Sequence, residues 1–289
     1  MIDIGGILFM GYIDLHVHSS ASDGTLTPSQ VVQLAVSQKL EAIALTDHDT
    51  TDGIPEAMDA ARGAGLELIP GIELSCEYYG KEIHILGLFI HPDEPAFAAE
   101  IRSLLEIRTR RNLEMLRRFQ EAGFSITLQD LQAGNPNTVI TRAHFARVLT
   151  EKGYASSMDQ AFKKYLRYGG PYCMRKERIT PEHALKILRD NHAFPSLAHI
   201  MQYKLSWEEN EKLISDLKKS GLMGLEVYHS SHHQGQIPRL QQLAAHYGLL
   251  PTGGSDFHGA NKPDIQIGIG RGNLRLSYGL LTDIKKCAL

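Results

Sequence analysis

The 289-residue sequence has few cysteines, little excess charge and no long apolar run. Its three cysteines, Cys76, Cys173 and Cys287, lie far apart and form no CxxC pair, so we expect neither a disulfide scaffold nor a thiolate zinc site. A net charge of −3 gives no general attraction to duplex DNA or to a membrane surface. The lack of about 20 consecutive apolar residues predicts no membrane span. These absences favour the cytoplasm, which is a reducing compartment.

The composition is that of a globular protein with a large core, at 43% hydrophobic and 22% charged residues. Short apolar runs alternate with helical patterns over the first hundred residues. YIDLHVH and EAIALTDHD predict strands, and between them TPSQVVQLAVSQKL predicts a helix with Thr27 as N-cap and Pro28 in its first turn. LELIPGIELSCEY and KEIHILGLFI predict two more strands. This rhythm predicts parallel β/α units and an α/β fold.

The rhythm breaks near residue 97. One long amphipathic helical pattern runs from Ala98 to about Gly123, and shorter helical stretches follow without a strand between them. After Gly169 and Gly170 the alternation of helices and strands returns. We therefore predict an all-helical insertion subdomain over 98–170, within a barrel domain made of 1–97 and 171–289.

Histidines and acids lie in the predicted strands, mostly where each strand ends. They are His16, His18, Asp47, His48, Asp49, Glu73, His84, His199, Glu226, His229, Asp256 and His258. In a β/α barrel the carboxyl ends of the strands converge on one rim. Alternate residues of a strand share a face, so His16 and His18 can bind one cation, and Asp23 in the following loop can reach a neighbouring one. Each motif alone occurs by chance, but together they predict a metal site.

Five segments carry a resemblance to a known family. HVHSSASDGTLTP, ALTDHDTTDG, PGIELSCEYYGKEIHILGLFI, AHI and GGSDFHG resemble, in this order, the motifs of the PHP (polymerase and histidinol phosphatase) superfamily. The likeness covers 12–92 and 179–260. The insertion with ITRAHFARVLTEKGY resembles that of the branch containing nucleotide phosphatases and the 5′-3′ exoribonuclease RNase AM. The chain departs from the family pattern at Ile200, where Pro is usual, and at PYCMRKER, where a segment like AYVP is usual.

The resemblance implies a distorted (βα)7 barrel of PHP type with three metal ions in its mouth. It assigns one ion to His16, His18, Glu73 and Asp256. It assigns a second ion to Asp23, His48 and His258, and a third to Glu73, His84 and His199, with Glu73 bridging. Nitrogen and carboxylate ligands without sulfur favour Mn²⁺, with Fe²⁺ and Zn²⁺ as alternatives.

Clustered cations lower the pKa of a shared water and stabilise charge on phosphoryl and leaving oxygens. The sequence therefore predicts a metal-dependent phosphoric ester hydrolase. We expect it to act on nucleotide phosphates, such as AMP or a nucleoside 3′,5′-bisphosphate, by in-line attack of a metal-bridging hydroxide. Asp256 and His258 are predicted catalytic residues.

Positive groups outside the metals are also needed for a phosphate ester. Arg142 follows Thr141, a predicted N-cap, and its forked guanidinium suits phosphate, so it is a candidate for both substrate binding and catalysis. His144 on the same helix is a candidate substrate contact. His229 is a candidate substrate contact, with two open roles: donating a proton to the leaving oxygen or orienting a ligand. Asp47 and Asp49 flank His48 and are expected to support the ligands or to cap a helix.

Four other functions remain open. An exoribonuclease acting on short 5′-phosphorylated RNA needs aromatic side chains that stack on bases, for which the candidates are Tyr78, Tyr79, Phe145, Tyr168 and Tyr172. The helical insertion disfavours histidinol phosphatase. Completely filled ligand positions disfavour a non-catalytic PHP module, and the TDHD motif disfavours another barrel hydrolase such as a deaminase. We expect a monomer whose substrate is a nucleotide or a short RNA.

Overall fold

A computed structural model describes residues 11–167, 169–173 and 179–288. Its strands are β1 (Tyr12–Val17), β2 (Leu40–Leu45), β3 (Glu67–Tyr78), β4 (Lys81–Leu88), β5 (Phe194–Leu197), β6 (Gly224–His229), β7 (Leu250–Gly254) and β8 (Leu276–Ser277). Its helices are α1 (Pro28–Ser37), α2 (Ile54–Ala61), α3 (Pro95–Glu121), α4 (Leu128–Gln132), α5 (Arg142–Glu151), α6 (Met158–Lys164), α7 (Pro181–Asp190), α8 (Trp207–Lys219), α9 (Ile237–His246) and α10 (Tyr278–Ala288). No helix within these ranges is long and apolar enough to cross a membrane.

The strands form one sheet in the order β7-β6-β5-β4-β3-β2-β1-β8. The sheet curls so that the segment after β7 meets β1: the amide of Asp256 donates to the carbonyl of His16 at 2.9 Å, and the amide of His18 donates to the carbonyl of Phe257 at 3.0 Å. Strands β1 to β7 therefore form a nearly closed barrel, and β8 adds a two-residue antiparallel pair to β1. The predicted α/β fold with a distorted barrel is confirmed.

The prediction of parallel units throughout is wrong at β4, which runs antiparallel to both β3 and β5. Only Tyr79 and Gly80 connect β3 to β4, and a parallel crossover needs a dozen or more residues. Both residues have positive φ, at 47° and 79°, as two-residue hairpin turns require. Strand β3 continues past the rim and turns back into β4. His84 near the start of β4 therefore lies at the same rim as Glu73 of β3.

Strand β1 contributes both to the apolar core and to the site. Ile13 and Leu15 are fully buried in one apolar cluster, and Val17 is fully buried in a second one. The register of β1 with β2 shifts between Asp14 and Val17, and within this stretch His16 is buried among polar groups. The same strand thus packs against apolar neighbours and presents an imidazole to the barrel interior.

The segment between β4 and α7 contains helices α3 to α6 and has an apolar cluster of its own, which includes Met115, Phe119, Phe145 and Leu149. The long helix begins at Pro95, three residues before the predicted start, because proline suits the first turn of a helix. The division into a barrel of 1–97 and 171–289 and an insertion of 98–170 remains a prediction.

Two predicted helix caps are confirmed by their hydrogen bonds. The side chain of Thr27 accepts from the amide of Gln30 at the start of α1, and that of Thr141 accepts from the amide of Ala143 at the start of α5. The cap at Thr141 fixes where Arg142 enters its helix, directly beside the barrel mouth.

Candidate metal centre

The carboxylate of Glu73 is fully buried at the centre of the barrel mouth. Its Oε1 atom lies 2.8 Å from Nδ1 of His84 and 2.8 Å from Nε2 of His199. Its Oε2 atom lies 3.1 Å from Nδ1 of His48 and 3.2 Å from Nε2 of His18. Each oxygen therefore faces a different pair of imidazoles, which is the arrangement that a bridging carboxylate needs.

The first predicted ligand set comes together closely. The Nε2 atoms of His16 and His18 lie 3.1 Å apart, and they lie 3.4 and 3.2 Å from Oε2 of Glu73. Their distances to Oδ1 of Asp256 are 3.7 and 3.5 Å. Donor atoms about 2.1 Å from a tetrahedral ion are about 3.4 Å from one another. His16 and His18 therefore lie at distances from Glu73 and from Asp256 that suit ligands of one cation.

The second predicted set is also assembled, with one addition. Nε2 of His258 lies 3.1 Å from Oδ1 of Asp23, and Nε2 of His48 lies 3.8 Å from Oδ2 of the same carboxylate. The Nδ1 atom of His258 hydrogen-bonds to the carbonyl of Asp256 at 2.8 Å, which leaves Nε2 with its lone pair free to bind a metal. His18 offers a donor atom to the same group, although the family resemblance assigned it only to the first set.

The third predicted set of Glu73, His84 and His199 is divided between two groups of donor atoms. One group contains His16, Glu73 and His199, and the other contains His48, Glu73 and His84. A further group contains His16, His229 and Asp256. Nε2 of His229 lies 3.4 Å from Oδ2 of Asp256, so His229 faces the cluster itself.

The residues present fit bound cations. Buried side-chain atoms that have no hydrogen-bond partner are concentrated here, namely His18 Nδ1, His48 Nδ1, Glu73 Oε2, His84 Nε2, His199 Nδ1 and His229 Nε2. Buried polar atoms in native proteins nearly always have a partner. Imidazole nitrogens and carboxylate oxygens are donors that divalent transition metals accept, so the cluster has the chemistry of a metal centre.

The electrostatics keep Glu73 and His18 in their metal-binding forms. Burial alone would raise the pKa of Glu73, but the surrounding imidazoles, chiefly those of His48 and His84, hold it well below its usual range. Burial and the neighbouring His258 lower the pKa of His18 to about 3. An ionised carboxylate therefore lies beside a neutral imidazole, and no proton has to leave either of these two groups when a cation binds. Burial would lower the pKa values of His84 and His16, but the nearby carboxylates raise that of His84 to about 9 and that of His16 well above its usual range, so these two imidazoles release a proton when a cation binds.

Glu226 supports the cluster, a role that was not predicted from the sequence. Its Oε1 atom accepts a hydrogen bond from Nδ1 of His16 at 3.0 Å, and its Oε2 atom accepts from the amide of His199 at 2.6 Å. Burial would raise the pKa of Glu226, but His16 lowers it to about 2. The available signal was an acid within the otherwise apolar start of β6, GLEV, where an unpaired charge would be costly.

The supporting role expected for Asp47 and Asp49 agrees with their contacts. Asp47 accepts from the amide and hydroxyl of Ser19 at 2.8 and 2.7 Å, and from the hydroxyl of Ser22 at 2.6 Å. It thereby fixes the loop between His18 and Asp23. Asp49 accepts from the amide of Ser75 at 2.8 Å and forms an ion pair with Arg108 of α3.

A cleft of about 410 Å³ lies over the cluster. Asp23, His48, His84 and His258 line it on the side of the cluster, and Arg108, Arg111, Arg142 and Lys262 supply positive charge around it. Arg142 is thus at the cleft as predicted, where it forms an ion pair with Glu82. Arg108, Arg111 and Lys262 were missed, and the only signals were the arginine-rich stretch RTRRN and a lysine soon after SDFH.

Two predicted substrate contacts are not among the described side chains that line the cleft. His144 is buried, and its Nδ1 atom accepts from the amide of Thr141 at 3.0 Å as part of the cap of α5. His229 lies beneath the cleft, where its Nδ1 atom is 2.8 Å from the hydroxyl of Ser231. His144 thus contacts Thr141, whose hydroxyl donates to Asp23 of the cluster, and His229 contacts Asp256 of the cluster.

Comparison with known proteins agrees with this geometry. A 3′,5′-nucleoside bisphosphate phosphatase from Chromobacterium violaceum is 34% identical over 261 residues, which cover 90% of this chain and 91% of that protein. A 5′-3′ exoribonuclease from Haemophilus influenzae is 36% identical over 245 residues, which cover 85% of this chain and 89% of that one. A structure from Bifidobacterium adolescentis, described as a metal-dependent phosphoesterase, superposes with a TM-score of 0.84 at 28% identity and covers 96% of both chains.

These likenesses confirm the prediction of a hydrolase that acts on phosphoric esters. The model of the PHP domain matches residues 14–230, which include the whole helical segment and the ends of the first six strands. The chain therefore belongs to the PHP domain family.

Proposed function

We propose that this protein is a metal-dependent phosphatase that removes phosphate from small nucleotides, with a nucleoside 3′,5′-bisphosphate as the preferred substrate and AMP as a simpler one. The observation that carries the proposal is Arg111, an arginine that forms no ion pair with any described carboxylate and lies in a cleft over a cluster of candidate metal-binding side chains. The likeness to a bisphosphate phosphatase supports the same substrate class.

Three divalent ions, with Mn²⁺ preferred and Fe²⁺ or Zn²⁺ as alternatives, form part of the proposal. The nine side chains that would hold them are His16, His18, Asp23, His48, Glu73, His84, His199, Asp256 and His258. Bound there, the ions supply Lewis acidity that activates water and neutralises charge on the phosphoryl group. Both nitrogen and carboxylate donors are present, which supports this choice of metals.

The protein orients the site through its own hydrogen bonds. The hydroxyl of Thr141 donates to Oδ2 of Asp23 at 2.8 Å, so the start of α5 positions an acid of the cluster. The next residue, Arg142, has its side chain in the cleft, where we assign it to the phosphoryl oxygens. Asp256 and His258 are assigned to the reacting phosphate, and His229 to the orientation of Asp256.

Arg111 is assigned to the phosphate that is not hydrolysed. Its Nε atom is buried without a hydrogen-bond partner, and its guanidinium forms no ion pair with a described carboxylate. Burial lowers the pKa of Arg111 to about 10, which still leaves it charged near neutral pH. The side chain lines both the cleft and an adjoining cavity of about 400 Å³. A second phosphate would supply the missing anionic partner.

An exoribonuclease is the second candidate, since a relative of that name is 36% identical. An exoribonuclease would need exposed aromatic side chains that stack on RNA bases, and few of the candidate aromatic residues that the structure describes are exposed. Phe145 and Tyr172 pack within the apolar cluster of the insertion, and Tyr78 donates to Asp216 at 2.9 Å. Only Tyr79, at the β3–β4 turn, is strongly exposed among them, at 84%. Tyr168 and the basic part of PYCMRKER, 174–178, lie outside the described residues.

The test is a panel of AMP, 3′,5′-bisphosphoadenosine, histidinol phosphate and a short 5′-phosphorylated RNA, each assayed with Mn²⁺. We expect phosphate release to be fastest from the bisphosphate. Arg111→Met should raise KM for the bisphosphate at least about tenfold and change KM for AMP much less, because AMP has no second phosphate. The neighbouring exposed Arg110→Met is the matched control. Stepwise release of mononucleotides from RNA at a higher kcat/KM would contradict the proposal and favour the exoribonuclease.

A further inference from the structure

Lys262 occupies a fixed place at the edge of the metal cluster. It follows a short 3₁₀ turn, Gly259–Asn261, directly after His258. The side-chain amide of Asn261 donates to the carbonyl of Asp23 at 2.7 Å, and the amide of Ala260 donates to the hydroxyl of Thr25 at 2.8 Å. These bonds anchor the turn to the loop after β1, so the backbone that carries Lys262 is held close to the cluster.

The two oxygens of Asp256 have different surroundings. Oδ1 faces the Nε2 atoms of His16 and His18 at 3.7 and 3.5 Å. Oδ2 accepts a hydrogen bond from Nζ of Lys262 at 2.6 Å. Asp256 can therefore bind a cation through one oxygen while Lys262 keeps the other oxygen in place. Among the described residues, Lys262 is the only lysine or arginine that forms an ion pair with a carboxylate of the cluster.

The ammonium group is also open to a ligand. The side chain of Lys262 is 35% exposed and lines the cleft together with His48, His84 and Arg142. An ammonium group has three N–H donors, and the bond to Asp256 uses one of them. Arg108 and Arg142, by contrast, are engaged by Asp49 and Glu82. Lys262 thus has N–H donors available for a ligand while it is hydrogen-bonded to Asp256, a candidate metal ligand.

We propose that Lys262 binds the phosphoryl group that is hydrolysed and so makes the enzyme prefer terminal phosphate monoesters over internal phosphodiesters. This inference rests on the proposed function, which it makes more specific. A monoester phosphate carries up to two negative charges near neutral pH, because its second pKa is about 6, whereas a diester carries one. A fixed ammonium beside the cluster therefore stabilises the monoester more than the diester. Lys262 acts by binding and positioning, and it forms no covalent bond.

The experiment compares p-nitrophenyl phosphate with bis(p-nitrophenyl) phosphate, which share a leaving group and differ in charge. For Lys262→Met we expect the ratio of kcat/KM for the monoester to that for the diester to fall about tenfold or more. Lys262→Arg should retain most of the preference, since the charge remains. Lys219→Met, which removes a 75% exposed lysine from α8, should leave the ratio unchanged.

A second measurement requires no turnover. Binding of inorganic phosphate to the Mn²⁺-loaded protein, followed by calorimetry, should weaken by a similar factor in Lys262→Met, while the Mn²⁺ content per chain stays at the wild-type value. Equal losses on both esters, with phosphate binding unchanged, would overturn the proposal and leave Lys262 with a structural role through Asp256. A loss of bound Mn²⁺ in both Lys262 variants would overturn it too.

The experiments distinguish failure of the proposed nucleotide phosphatase activity from failure of the proposed role of Lys262. If wild-type protein releases no phosphate from nucleotides but Lys262→Met still weakens phosphate binding and lowers the ester ratio, the nucleotide assignment fails and the role of Lys262 stands. If nucleotides are hydrolysed and the Lys262→Met variant shows neither change, the role of Lys262 fails and the proposed function stands.

Discussion

Glu226 and His16 are 210 residues apart in the chain, and Oε1 of Glu226 accepts a hydrogen bond from Nδ1 of His16 at 3.0 Å. The bond fixes the ring orientation and leaves Nε2 of His16 directed at the cluster. Since Oε2 of Glu226 also accepts from the amide of His199 at 2.6 Å, one carboxylate positions two histidines. Carboxylates in this position make the imidazole a better ligand.

Replacing Glu226 should weaken metal binding without removing a proposed ligand. We expect Glu226→Gln to lower Mn²⁺ affinity about 10- to 100-fold, because the amide is a poorer acceptor for His16 and presents a donor to the amide of His199. Isothermal titration of Mn²⁺ into the chelator-treated protein measures this. Glu208→Gln, at an exposed position on α8, is the control. Unchanged affinity in Glu226→Gln would show that His16 needs no support.

The ion pair between Arg108 and Asp49 connects helix α3 to the barrel and is almost fully buried, at 8% exposure on each side chain. Arg108→Met should reduce the free energy of unfolding by about 3 kcal/mol, because it leaves a buried carboxylate without its cation. Arg117→Met removes an arginine that is 54% exposed and pairs with Glu114 and Glu121, so it should cost less than about 1 kcal/mol. Urea denaturation measures the free energy of unfolding of both variants. Equal losses of stability in the two variants would refute the role given to Arg108.

Acid should destabilise the protein through His232. Burial, together with the nearby His229, lowers the pKa of His232 to about 4, against an ordinary value of 6.5. Above pH 6.5 the residue is neutral in both the folded and the unfolded chain. As the pH falls from 6.5 towards 4, only the unfolded chain gains this proton, so the free energy of unfolding decreases.

The contribution of His232 is measured by difference. Between pH 7 and pH 5, chelator-treated wild-type protein should lose about 2 kcal/mol more stability than His232→Gln, because the variant lacks the titrating imidazole. Guanidinium denaturation at both pH values gives the two losses. The same loss in both proteins would mean that His232 titrates normally in the folded state.

Thr141 should couple helix α5 to the cluster. Its hydroxyl donates to Asp23 at 2.8 Å and also accepts from the amide of Ala143. Thr141→Val removes both bonds, and we expect a loss of about 1 kcal/mol in stability together with weaker Mn²⁺ binding. Thr141→Ser keeps the hydroxyl and should restore both properties. Failure of serine to restore Mn²⁺ affinity would assign the effect to packing of the methyl group.

The sequence predicted most of the side chains that meet in the candidate metal centre, because they belong to local motifs. His16 lies near the end of β1 and His18 directly follows the strand, and Asp256 and His258 follow β7, so their positions at the strand ends bring each pair to the rim. The antiparallel direction of β4 was missed because Tyr79 and Gly80 were not recognised as a two-residue turn.

Contacts between distant segments could not be predicted from local patterns. Arg108 reaches Asp49 only because α3 packs across the barrel mouth, and its spacing within RTRRN does not distinguish it from the exposed Arg110. Lys262 reaches Asp256 because a turn brings the chain back after His258. His144 resembles a site residue in sequence, yet its position three residues after Thr141 makes it part of a helix cap.

We propose above that the side chains around Glu73 hold a cluster of divalent cations. The number of Mn²⁺ ions per chain can be measured by inductively coupled plasma mass spectrometry after reconstitution and dialysis. We expect about three ions per wild-type chain and fewer than about two in Glu73→Gln, because the two carboxylate oxygens of Glu73 face different pairs of imidazoles. A wild-type chain that retains no Mn²⁺, or a Glu73→Gln variant that retains as much as the wild type, would show that Glu73 is not the centre of a cation cluster.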